Sequence, residues 1–267
     1  MVLRLALLIL LLPATLNADG SLNLCLSCHP PHHQQYGTCS DCHRGDPRSS
    51  RHEIAHFGLI AGRYAWFMIP GSPQTESGAQ LLDRYACRRC HISGSKGNEL
   101  ATNLDDSAIG SSPPLLVEAI RHPVRFMPDF HLPDSLLDAL INALYAQALH
   151  SEPNAEEVPQ IVHFDEGNAA QTDLFTKHCG GCHQLLTTTL GGLGTGVVAP
   201  NLSGLLTEFY PQTADNETAW TSDKLKKWLK NPRDIHPLTQ MMPVQLKDAD
   251  VNRLLELLQQ PHSSTRH

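Results

Sequence analysis

Apolar positions along the chain follow two patterns. Leu5 to Leu12 is an unbroken apolar run, whereas from residue 79 onward apolar residues return every three or four positions, the spacing of a helix that buries one face. That spacing predicts a helix over 79–85, a short one over 113–123 bounded by prolines, and a third carrying Leu136, Leu137, Leu140, Ile141 and Leu144. The pattern restarts at Ala169 to His178, then places Leu225, Trp228 and Leu229 on a helix stopped by Asn231-Pro232. It closes with Val251, Leu254, Leu255 and Leu258 behind a start at Asp248. Before residue 70, Ile54 to Phe67 is the stretch that reads as a helix, with His56 near its start. Pro70 to Gly78 and Ser151 to Pro159, polar and rich in turn formers, read as linkers.

The first run changes the picture at the N-terminus. Arg4, the apolar stretch and the small-residue exit from Pro13 to Ala18 read as an export signal over 1–18. Its apolar part falls well short of the roughly 20 residues a membrane span needs, and no later stretch comes closer. The expectation is a periplasmic or otherwise extracytoplasmic protein with no membrane span once the signal is removed.

Composition adds a constraint on the core. Aromatic residues make up only 6% of the chain, so something other than aromatic side chains must fill much of the interior. The formal charge of −7 argues against a nucleic-acid partner and toward cationic ones.

The candidate chemistry lies in one repeated phrase. Cys-x-x-Cys-His occurs as Cys25/Cys28/His29, Cys39/Cys42/His43, Cys87/Cys90/His91 and Cys179/Cys182/His183, and these four copies use all eight cysteines. Two thiols on one turn followed by an imidazole is the signature of covalent haem c attachment, with the histidine offered to the iron. Four covalently bound haems are therefore expected. The competing reading of the first two copies is a zinc ribbon with four thiolate ligands; a histidine after every pair argues against it.

Cys25 and Cys39 are only fourteen residues apart, so the first two haems must pack together. The same segment holds His32, His33, His52 and His56, and its first methionine is Met68. Bis-histidine ligation follows, with His32 and His56 as distal ligands and His33 and His52 in reserve. His32 is too close in sequence to His29 to cap the same iron and would have to reach the other haem.

The order helix, haem motif, loop, helix, Met-Pro, helix occurs twice after residue 70 and resembles a class I cytochrome c domain. The resemblance implies Met127 as sixth ligand opposite His91, with His122 and His131 as alternatives, and Met242 opposite His183, preferred to Met241 and His236. It also implies that the Pro200 carbonyl, in Ala199-Pro-Asn-Leu, orients His183. The first copy has only Thr102-Asn-Leu104 there, with no proline, so its haem is expected to be looser or differently tuned. The glycine-rich 191–196 reads as a loop over the haem edge. The expected fold is mostly α: a signal over 1–18, a dihaem module with little regular structure over 19–70, an all-α cytochrome c-like domain over 71–150, a linker over 151–165 and a second such domain over 166–260.

Four haems with two protein ligands each point to an electron carrier. Its expected partners are other cytochromes or a membrane quinol-oxidising complex on one side and a terminal reductase on the other. The N-terminal phrases Cys42-His-Arg-Gly-Asp-Pro and Arg51-His-Glu-Ile-Ala-His resemble multihaem cytochromes of metal- and oxyanion-respiring bacteria, including those linked to selenite and tellurite reduction. The alternative is a haem enzyme or enzyme subunit, a peroxidase or oxyanion reductase, with one open iron.

Overall fold

The structure, a computed structural model, describes residues 23–151 and 173–259. The export segment and the 151–165 linker beyond Ser151 lie outside them. The chain falls into two compact units, divided between Pro70 and Gly71.

The first unit has short elements: 3-10 turns at Leu24–Ser27 and Gln34–Tyr36, α1 at Cys39–His43 and α2 at His52–Ala55, then 3-10 turns at Gly62–Tyr64 and Trp66–Met68. Side-chain caps start the two turns that carry cysteines. Asn23 Oδ1 accepts the Cys25 N–H at 3.1 Å. Asp41 Oδ2 accepts the Thr38 N–H at 2.7 Å, which closes a capping box in front of α1.

The predicted helix over 54–67 does not form. α2 ends at Ala55, His56 is its C-cap, and Gly58 turns the chain back at φ +68°. Residues after Gly58 run as a strap onto α1, where the Ile60 N–H donates to the His43 carbonyl at 2.7 Å. Tertiary pairing outweighed a helix interrupted by Gly58 and Gly62. The buried apolar side chains of this unit are few, chiefly Ile60, Tyr64 and Phe67, so its polypeptide alone supplies little core.

In the second unit, α3 spans Pro73–Arg84, α4 Leu104–Gly110, α5 Pro113–Arg121 and α6 Asp134–Ala148. The stretch 70–78 is thus a helix start more than a linker. Ser72 accepts the Thr75 N–H and Pro73 takes the first helical position, two start signals that outrank turn-like composition. α3 packs along α6, which α4 and α5 also touch. At the α3–α6 crossing a Cβ on Gly78 would overlap the Ala139 carbonyl. Only glycine permits this approach. A hairpin, β1 Ile92–Ser93 with β2 Lys96–Gly97, follows the third motif.

The second half of this unit runs α7 Leu174–His178, a hairpin of β3 Leu185–Thr187 with β4 Gly191–Leu193, α8 Ser222–Lys230 and α9 Asp248–Leu258. Asp173 caps α7 through the Thr176 N–H at 2.7 Å. Phe175 is fully buried against leucines of α8, α9 and the hairpin. The glycine-rich 191–196 is therefore not a free loop. Part of it is β4, and the N–H groups of Thr195 and Gly196 donate to the Gly180 carbonyl at 2.8 and 2.9 Å, folding it onto the fourth motif. Among the described residues strands are confined to these short hairpins, and the fold is mostly α.

Candidate functional site

Each motif closes into one turn. His29 N–H donates to the Cys25 carbonyl at 2.9 Å, His91 N–H to Cys87 at 3.1 Å and His183 N–H to Cys179 at 2.9 Å, while Cys39 to His43 form α1. Both sulfurs and the imidazole of a motif therefore leave the same turn. All eight cysteines are free thiols. Burial pushes the Cys87 and Cys179 thiols up to about 11 and raises Cys90 and Cys42 as well. Burial thus favours the neutral thiol at these four positions. Among the described residues no group of three or more His, Cys, Asp or Glu side chains converges to hold a metal ion.

The second cysteine of a motif is not always covered. Cys90 is buried, whereas its counterparts Cys28 and Cys182 are exposed. At Cys182 the cause lies in the backbone. Its carbonyl accepts the Ala199 N–H at 3.1 Å, and a Cβ on Gly196 would overlap its main chain, so the glycine-rich segment packs on the peptide and leaves the side chain uncovered. A sulfur open on one side is compatible with thioether formation, which needs access to a vinyl group and not burial.

Backbone carbonyls orient three of the four motif histidines. His43 Nδ1–H donates to the Ile60 carbonyl at 2.9 Å, His91 Nδ1–H to Thr102 at 2.7 Å and His183 Nδ1–H to Pro200 at 2.7 Å. Each bond fixes the tautomer that leaves Nε2 as the donor atom for a metal. The expected looseness of the third motif is thereby corrected. The required group is a carbonyl, not a proline, and Thr102 supplies it at the same distance as Pro200. Its segment is pinned because Leu100 and Ala101 N–H donate to the Cys90 carbonyl at 3.0 and 2.9 Å. Burial also lowers the His91 pKa below the ordinary imidazole value, which favours the neutral, ligating form.

In the first unit the histidines face each other in pairs across motifs. The His29 and His56 ring centroids are 6.0 Å apart, and those of His43 and His32 are 5.6 Å apart. Two imidazoles bound across one metal, at about 2 Å per bond, put their centroids roughly 6 Å apart. His52 packs edge-on against His56 at 4.3 Å, too close to bracket an iron with it. His33 lies 5.4 Å from His32 and beside Tyr36 and Trp66. Buried His56 Nδ1 has no hydrogen-bond partner. The Cys25 thiol is raised by burial and then by the adjacent Cys39, so the leading cysteines of the two motifs meet in space.

Met127 is half-buried between Phe126 and Pro128. The alternatives beside it are engaged at the surface, His122 with Glu118 at 3.5 Å and His131 with Asp129 at 3.1 Å. In the last domain Met241 receives the Trp228 indole N–H on its sulfur at 2.8 Å and packs on the core. Met242, by contrast, is 67% exposed and stands outside that core. His236 donates through Nε2 to the Thr213 carbonyl at 3.1 Å and lies against Trp228.

Residues 170–261 match the family model for cytochrome c. Residues 73–146 match that for subunit III of cbb3-type cytochrome c oxidase. The chain carries two cytochrome c domains. No curated protein and no solved structure matches it. These domains make it a haem-based electron-transfer protein with covalently bound haem c. Their residues fit that group, with paired thiols on a single turn, Cys87 with Cys90 and Cys179 with Cys182, beside a histidine whose Nδ1 is already committed and whose Nε2 is left as donor. Cytochrome c domains are typically extracytoplasmic, and among the described residues no helix is long and apolar enough to cross a membrane. Sequence reasoning missed the carbonyls of Ile60 and Thr102, since a backbone acceptor has no residue signature.

Proposed function

We propose that the protein is an exported tetrahaem c-type cytochrome. It passes electrons from another cytochrome or a membrane quinol-oxidising complex to a terminal reductase in an anaerobic type of respiration. Haem c, once attached, supplies a one-electron iron couple whose potential is set by its axial ligands. The observation that carries the reading is the facing of His29 with His56 and of His43 with His32. It gives each motif of the first unit a second imidazole drawn from the other's neighbourhood. Met127 and Met242 serve the cytochrome c domains. The thioether raises the potential relative to imidazole, so the first unit forms a low-potential pair and the domains a higher one.

Every motif then has two protein ligands and none offers an open iron. The peroxidase or oxyanion-reductase alternative had its strongest ground at Cys87 and Cys90, where a proline was missing. The Thr102 carbonyl supports the carrier reading there, since it orients His91 as a prolyl carbonyl would.

Haem quantification of the purified holoprotein tests the count, with four per chain expected. Added carbon monoxide should leave the ferrous spectrum unchanged, and stoichiometric binding to one haem would instead favour the enzyme. Replacing His56 with alanine should turn one haem high-spin and open it to carbon monoxide. His52→Ala should leave all four low-spin.

A further inference from the structure

The two cytochrome c domains share one compact unit, and the contacts between them involve the third motif and the Met127 segment. Leu186, three residues after His183, is buried with Cys90, Leu100 and Phe126 in one cluster. Gly192 lies so close to the Phe126 ring that a Cβ there would overlap it. Arg89, inside the third motif, donates to the Asn201 carbonyl at 3.1 Å and lies over Tyr210. Asn98 donates to Thr207 Oγ1 at 3.0 Å.

One bond singles out a residue among these. Asn201 Nδ2 donates to the Phe126 carbonyl at 2.9 Å, the peptide unit that leads directly into Met127. Phe126 is buried at φ +74°, a conformation that costs a bulky residue free energy and persists only where its surroundings hold it. Its own domain contributes the Met127 N–H to Val124 turn at 3.1 Å. The ring packs on Cys90 and Leu100 of its own domain and on Leu186 of the neighbour, while the carbonyl accepts from Asn201 of the neighbour. Asn201 also follows Pro200, whose carbonyl orients His183, and its Oδ1 accepts the Ser203 N–H at 2.9 Å.

We propose that Asn201 of the second cytochrome c domain is a positioning residue for Met127 of the first, clamping the strained Phe126 peptide so that the thioether is presented as an axial ligand. The five-residue stretch 200–204 thus serves two irons at once, its own through Pro200 and the neighbour's through Asn201. The neighbour thereby contributes to the ligation of the first domain. The proposal rests on the reading of Met127 as a ligand.

The test uses the holoprotein in a Met242→His background. There the weak red charge-transfer band that ferric haem shows only with a thioether ligand reports Met127 alone. Met127→Leu should abolish the band. Asn201→Asp keeps the acceptor for Ser203 but cannot donate to Phe126, and Asn201→Ala removes both contacts. Each should weaken the band and raise the apparent affinity of added imidazole at that haem by about tenfold, the scale of leaving one buried acceptor unpaired. The thermal midpoint, measured alongside, identifies any variant that has simply lost its fold, and the other variant then carries the test. A band lost in Met127→Leu, with imidazole affinity unchanged in both Asn201 variants, overturns the clamp and leaves the ligation standing. A band indifferent to Met127→Leu overturns the ligation, and the clamp with it.

Discussion

Replacing Met242 with histidine lowers the potential of one haem by a few tenths of a volt and leaves the other three in place. The magnitude follows from the roughly 0.8 V over which axial ligands move haem potentials, of which a thioether-to-imidazole exchange takes a part. The selectivity follows from position. Met242 lies in the last cytochrome c domain, where His183 is already oriented by Pro200 at 2.7 Å. Its neighbour provides the control. Met241 holds the Trp228 N–H at 2.8 Å and belongs to the core, so Met241→Leu should destabilise the domain while the four potentials stay put. A redox titration of both variants separates the two methionines. A shift in Met241→Leu with none in Met242→His would reverse their roles.

Gly78→Val should damage the other cytochrome c domain without touching a ligand. The added side chain meets the Ala139 carbonyl and crowds Ala143 across the α3–α6 crossing, where neither backbone has room to retreat. Overpacking of this kind costs about 3 kcal/mol, the upper end of its usual range. For a unit of this size that is a fall of roughly 6–12 °C in the melting midpoint. Calorimetry of the holoprotein checks it. An unchanged midpoint would mean that the two helices do not cross at Gly78.

The helical periodicity was legible wherever a long amphipathic face existed, as in Leu137, Leu140, Ile141 and Leu144 of α6 and in Leu254, Leu255 and Leu258 of α9. It failed over 54–67, where the apolar residues serve a strap that pairs with His43 and not a helix face. It failed again at 70–78, where a Ser-Pro start was hidden in turn-like composition. The cysteines and motif histidines were readable because their chemistry dictates the spacing. Their surroundings were not: nothing in the phrase itself distinguishes buried Cys90 from exposed Cys182, because the segments that cover or bypass each sulfur come from later in the chain. The orienting acceptors were equally hidden, since Ile60 and Thr102 contribute backbone oxygen and Pro200 stood out only through the resemblance of its segment. Nor did any local signal mark Asn201, whose partner Phe126 lies 75 residues away.

In the proposed assignment the facing histidines and the two methionines divide four chemically identical attachments into two classes. A spectropotentiometric titration of the intact holoprotein reads that division directly. Four low-spin haems should titrate as two low-potential and two high-potential centres, with thioether-ligated ferric signal accounting for half of the total. A count other than four, a high-spin ferric centre in the untreated protein, or four haems within a single potential range would contradict it.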